Sequence, residues 1–111
     1  MGRLIVLANG RSFSATSEAM SILRSNRRGT FVGEEGGGGF SGNTSGFGAS
    51  VVLPHSGIKI NISRLAYYLA VSGSPPDQGA MADVAISEMV SDVLARRDPA
   101  MDAALAIARK P

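Results

Sequence analysis

The passage from Leu4 to Leu23 restricts the fold more than any other part of the chain. Leu4-Ile5-Val6-Leu7-Ala8 is a short, uninterrupted apolar run, partly β-branched, which is the pattern of a strand covered on both faces. Asn9-Gly10 breaks the run, and Ala15, Ala19, Ile22 and Leu23 then recur at helical spacing. A sheet layered by helices is the natural setting, and Ser14 falls where strand gives way to helix.

That corner has chemical content. The first backbone N–H groups of a helix lack partners within it and carry the positive end of its dipole. A serine there can cap the helix, or attack a carbonyl whose developing oxyanion is held by the next N–H, here that of Ala15. The surrounding residues do not form G-x-S-x-G, so an α/β-hydrolase elbow is not supported.

A chain of 111 residues forms one domain at most, spanning residues 1–111. Apolar residues make up 44% of it and charged ones 18%, which suits a folded domain and argues against disorder. The net charge is +2, and the arginines are scattered in pairs such as Arg27-Arg28 and Arg96-Arg97, so nucleic acid is not an expected partner. With no cysteine and one histidine, neither a disulfide framework nor a thiolate or histidine-rich metal site is expected, and no cofactor is implied. No stretch reaches the roughly 18 consecutive apolar residues of a membrane-spanning helix. Met1-Gly2-Arg3 leads directly into the strand without the features of a signal peptide, and the compartment stays open.

A helix is expected over residues 14–24, with Gly29 as its C-terminal cap. Thr30-Phe31-Val32-Gly33 follows as a second strand, completing a right-handed βαβ unit with parallel pairing. Residues 34–48 carry glycine at 36, 37, 38, 39, 42, 46 and 48, a density kept where backbone bends sharply or approaches something closely. Gly37 to Gly42 fits G-x-G-x-x-G, yet no helix signal follows, and Asn43 stands where a phosphate-binding loop would have lysine. A surface loop and a wall of a substrate cleft are the other readings. Ala49-Ser50-Val51-Val52-Leu53 and Ile58-Lys59-Ile60-Asn61-Ile62 flank Pro54-His55-Ser56-Gly57 as a hairpin with one solvated face. His55 falls at the turn tip, where a solvent-facing role is expected rather than that of general base. Two helices close the chain, one from Ser87 through Leu94 and one capped by Asp98 with Pro99 in its first turn.

Taken together, Asn9-Gly10-Arg11-Ser12-Phe13-Ser14-Ala15-Thr16-Ser17-Glu18, Arg28-Gly29-Thr30-Phe31-Val32-Gly33-Glu34-Glu35, the glycine-rich loop and Leu53-Pro54-His55-Ser56-Gly57 resemble the C-terminal processing, or tail-specific, serine peptidases. That family shares its catalytic core with tricorn protease, and the resemblance covers roughly residues 4–109. It implies an α/β fold in which a βαβ unit, a β-hairpin and C-terminal helices form the C-terminal part of a crotonase/ClpP-like core. It further implies Ser14 as nucleophile, the Ala15 N–H as an oxyanion donor, Gly37 and Gly38 in the cleft wall, and peptides or protein C-termini as substrate. The family's acidic residue aligns with Pro76, beside Asp77, and Ala82 stands where proline is usual.

A serine hydroxyl needs a base near neutral pH. One branch of the family uses a lysine in the glycine-rich loop, but residues 36–48 contain none, and Lys59 and Lys110 lie in other blocks. The tricorn-like branch uses a histidine far ahead of the nucleophile. The resemblance therefore implies a partial catalytic core that lacks its base, inactive alone, with a missing N-terminal half or self-association covering the exposed sheet. The alternative is a non-enzymatic module that binds a peptide strand or a copy of itself.

Overall fold

The apolar run forms β1 (Ile5–Ala8) and the helical pattern forms α1 (Ala15–Ser25) in a computed structural model that describes residues 2–75 and 77–110. The chain returns as β2 (Thr30–Gly33), parallel to β1, with Ile5 opposite Thr30 and Ala8 opposite Gly33. Parallel neighbours need a crossover, which α1 supplies. The helix ends earlier than Gly29: Arg27 takes the left-handed conformation at φ 53°, and the N–H groups of Arg27 and Arg28 close onto the Arg24 and Leu23 carbonyls. An arginine thus fills the role expected of glycine, and Gly29, at φ 96°, makes the bend into β2.

Beyond β2 the glycine-rich segment contributes β3 (Gly42–Asn43), and the hairpin follows as β4 (Gly48–Val52) and β5 (Lys59–Ser63), paired antiparallel from Gly48↔Ser63 to Val52↔Lys59. The expectation of one buried face fails here. Every residue of β5 is exposed, and so are all of β4 except Ala49, because among the described residues no element packs across either face. β6 (Tyr67–Tyr68) pairs antiparallel with β3, and β7 (Val84–Ala85) adds to β2 in parallel, giving a three-stranded sheet ordered β1-β2-β7. α2 (Val90–Leu94) begins three residues later than Ser87, capped by the Asp92 carboxylate on the Met89 N–H. α3 (Pro99–Ala108) starts as its sequence signals: the Asp98 carboxylate accepts the Met101 N–H at 2.8 Å, with proline in the first turn. The chain is an α/β protein, and none of its described helices is long and apolar enough to cross a membrane.

The core is small. Ala8, Met20, Phe31, Phe40 and Ala80 are buried together, with Val6, Leu23 and Val71 against them. Phe40 belongs to the glycine-rich segment, so that segment is anchored in the core. Asp83 ties the sheet to α1: its carboxylate accepts the Phe31 N–H at 2.8 Å and the Arg24 guanidinium at 2.6 Å, and Arg24 lies over the Phe31 ring. Partial burial pushes the Asp83 carboxyl up, but the Phe31 N–H and Arg24 together outweigh it and hold the pKa below its ordinary value.

The molecule is open. Its radius of gyration is 17.9 Å, against about 13 Å for a compact domain of this length. Its accessible surface is 8009 Å², against about 5,800 Å² for a folded monomer of its mass.

Candidate functional site

The corner between β1 and α1 is built by local hydrogen bonds. The Asn9 side-chain oxygen accepts the Arg11 N–H at 3.0 Å, the Asn9 carbonyl accepts the Ser12 N–H at 2.8 Å, and Ser12 Oγ accepts the Asn9 N–H. Asparagine favours such turns because its side chain imitates a backbone carbonyl. The turn delivers Ser14 to the start of α1 at φ 57°, ψ −131°. Those angles are the ones that glycine takes at the first central position of a type II′ turn, and a residue with a Cβ is strained in them.

Ser14 is exposed and makes no side-chain bond to the helix it precedes. The capping alternative therefore fails for its hydroxyl, and the strain has no local compensation. The Ala15 N–H has no hydrogen-bond partner among the described residues, as the first turn of a helix leaves it. Ser14 opens onto a cleft of about 430 Å³, whose other walls include Phe13, Ser17, Gly37, Gly38, Gly39 and Asn43. The cleft thus brings Ser14 together with Gly37 and Gly38, two positions that the sequence singles out.

The glycines are there because backbone passes against backbone. A Cβ on Gly37 would stand 2.0 Å from the Gly10 carbonyl oxygen, and one on Gly38 2.6 Å from the Ser17 side chain. Ser17 itself is 3% exposed and its hydroxyl has no partner among the described residues. The loop is held from its far side as well: Glu35 accepts the Gly79 N–H at 2.7 Å, the Gly36 N–H donates to Ala80, and the Phe40 N–H donates to Gln78. Any shift of residues 36–40 would therefore be felt at the Asn9-Gly10 turn, and through it at Ser14.

Sequence reasoning missed a polar cluster beside the cleft. Glu18, one turn beyond Ser14, accepts from the Tyr67 hydroxyl, and Asn43 Nδ2 donates to Tyr67 at 2.6 Å and to Glu18 at 3.4 Å. It fastens β3 and β6 to α1. Tyr67 lies in the apolar stretch from Leu65 to Val71, whose pattern signals a strand and carries no mark of the partners its hydroxyl finds.

Other candidates lie elsewhere. His55 is exposed in the hairpin turn, and Lys59 and Lys110 are exposed and line no part of the cleft. Asp77 borders a separate depression across Gly37, Gly38 and Gly39, and Pro76 lies outside the described residues. Among the described residues, no histidine, lysine, aspartate or glutamate lines the Ser14 cleft. No group of three or more histidine, cysteine, aspartate or glutamate residues suited to a metal ion occurs among the described residues. Comparison of the chain with protein-family models and with curated proteins returns no match.

Proposed function

We propose that the chain carries the nucleophile-bearing part of a serine-type peptidase site of the C-terminal processing kind, acting on extended peptides or protein C-termini. The observation that carries this reading is the strained backbone of an exposed, uncapped Ser14 at the mouth of a cleft. Strain without local compensation marks positions held for a purpose other than stability. Ser14 Oγ would attack the substrate carbonyl, and the oxygen that gains charge would be held by the Ala15 N–H at the positive end of α1. Gly37 and Gly38 would let a substrate backbone approach closely. The parallel β1-β2 pair with its α1 crossover supports the finer proposal of a crotonase/ClpP-like core.

The proposal leaves the base outside this cleft, since the residues lining it include none. The chain alone should hydrolyse peptides little or not at all near neutral pH. The test is reaction with a fluorophosphonate, with the adduct mapped by mass spectrometry at neutral and at alkaline pH, where hydroxide stands in for the base. Slow labelling that rises with pH and falls on Ser14, ahead of the other serines, is expected. Labelling spread across the serines would overturn the nucleophile, and rapid stoichiometric labelling at neutral pH would overturn the missing base. The absent base also favours a second reading, a non-enzymatic module that binds a peptide strand. Saturable binding of an extended peptide without alkaline labelling of Ser14 would select it.

A further inference from the structure

The cleft beside Ser14 holds a group that peptide hydrolysis leaves unused. Ser17, in the first turn of α1, lines the cleft and is buried, and its hydroxyl has no partner among the described residues. A helical serine can bond the carbonyl four residues back. Ser21, equally buried one turn on, does so onto Ser17 at 2.9 Å, whereas Ser17 makes no such bond to Phe13. A buried hydroxyl left unpaired is costly and calls for a partner from outside the chain. Its oxygen lies against the Gly38 wall of the cleft: a Cβ on Gly38 would stand 2.6 Å from it, and glycine keeps a side chain from covering it. The N–H groups of Ala15, Thr16 and Ser17 open the helix and also have no partner among the described residues. No charged side chain of the described residues lines the cleft, and Glu18, next on the helix, is engaged by Tyr67 and Asn43. The glycine pattern from Gly37 to Gly42 lacks a following helix in sequence, but the fold sets Gly38 against the first turn of α1 instead.

We propose that this end of α1 binds the phosphoryl group of a phosphomonoester, with the first-turn N–H groups and Ser17 Oγ as donors. A phosphoryl group brings three strong acceptor oxygens and nearly two negative charges at neutral pH, which suits a cluster of N–H donors at the positive end of a helix. A carboxylate brings two oxygens and one charge, and gains less from the same dipole. The phosphoryl group fills only part of the cleft of about 430 Å³. Phe13, 61% exposed on its wall, offers the organic part of an ester an apolar surface, preferably an aromatic one that can stack on the ring. Binding requires no attack by Ser14, so it stands apart from the peptidase reading, although a bound phosphoryl group would keep a peptide carbonyl from the Ala15 N–H.

Amide chemical shifts of the isotope-labelled full chain, titrated at constant ionic strength with inorganic phosphate, phenyl phosphate and benzoate, test it. Both phosphates should give saturable shifts in the millimolar range, centred on Ala15, Thr16, Ser17 and Gly38. Phenyl phosphate should bind more tightly than inorganic phosphate, which separates an ester site from one for the free anion, and benzoate should bind weakest. Ser17→Ala removes one hydrogen bond to a charged group and should weaken phenyl phosphate about tenfold, with thermal stability no lower than the parent's because an unpaired hydroxyl is removed. Phe13→Ala should bring phenyl phosphate down to the affinity of inorganic phosphate. Ser56→Ala, in the distant hairpin turn, should change nothing. Should Ser17→Ala unfold, the shifts of the unaltered chain and the order of the three ligands still decide the matter. Shifts that do not saturate or that fall elsewhere, benzoate as tight as phenyl phosphate, phenyl phosphate no tighter than inorganic phosphate, or a Ser17→Ala chain that binds like the parent would overturn the proposal.

Discussion

Replacing Ser14 by glycine should stabilise the chain, although glycine in place of a helix-capping serine ordinarily does not. At an ordinary N-cap, Ser→Ala costs about 1 kcal/mol because the hydroxyl holds a free N–H. Ser14 makes no such bond, so Ser14→Ala should stay within about 0.5 kcal/mol of the parent. What Ser14 does carry is backbone strain, on the order of 1–3 kcal/mol for a residue held in a sparsely populated region. Glycine removes most of it, offset by about 0.5–1 kcal/mol for the freer unfolded chain. The net expectation is a gain of about 1 kcal/mol, or a Tm rise of about 4 °C for a chain of this size. Urea and thermal unfolding at one fixed protein concentration would measure it, since association also shifts the midpoint. A glycine variant less stable than the parent, or an alanine variant that loses about 1 kcal/mol, would show that Ser14 is an ordinary cap and remove the reason for assigning it a chemical role.

Asp83→Ala takes away the acceptor for the Phe31 N–H and the partner of Arg24, and should cost about 1–2 kcal/mol, a range discounted for the exposure of the pair. The carboxyl is held below its ordinary pKa in the fold, so its contribution should be complete above the unfolded value of about 4 and vanish as pH falls through the lowered one. Denaturant midpoints in that acid range should show the loss in the parent and not in Asp83→Asn. Gly37→Ala drives a Cβ to 2.0 Å from the Gly10 carbonyl, and should cost about 3 kcal/mol with slower Ser14 labelling at alkaline pH. Gly57→Ala, at φ 70° with nothing within 4 Å, should cost only about 1 kcal/mol. Equal losses at the two positions would contradict the close backbone approach.

Local signals carried most of the fold. β1, α1 and β2 follow from an apolar run, a turn and helical spacing, and Asp98-Pro99 sets the start of α3 because a cap acts on the next few residues alone. What failed was what depends on distant partners. The alternation of Ile58, Ile60 and Ile62 signals a buried face, but burial needs an opposing surface, and none of the described residues supplies one. Arg27 ends α1 where glycine was expected, since the closing bonds to Arg24 and Leu23 matter more than side-chain type. At the site, the place of Ser14 was legible, whereas its strain was not, because the angles are fixed by the Asn9 turn and by Gly37 against Gly10. The link from Glu18 to Tyr67 joins residues 49 apart in sequence, beyond the reach of any local pattern.

The central claim is that Ser14 and the Ala15 N–H form one reacting corner. The most direct measurement is a crystal structure of the chain after alkaline reaction with a fluorophosphonate. The account predicts phosphorus bonded to Ser14 Oγ and a phosphonyl oxygen about 3 Å from the Ala15 nitrogen. An adduct on another serine, or one on Ser14 whose oxygen turns away from Ala15 into solvent, would contradict it.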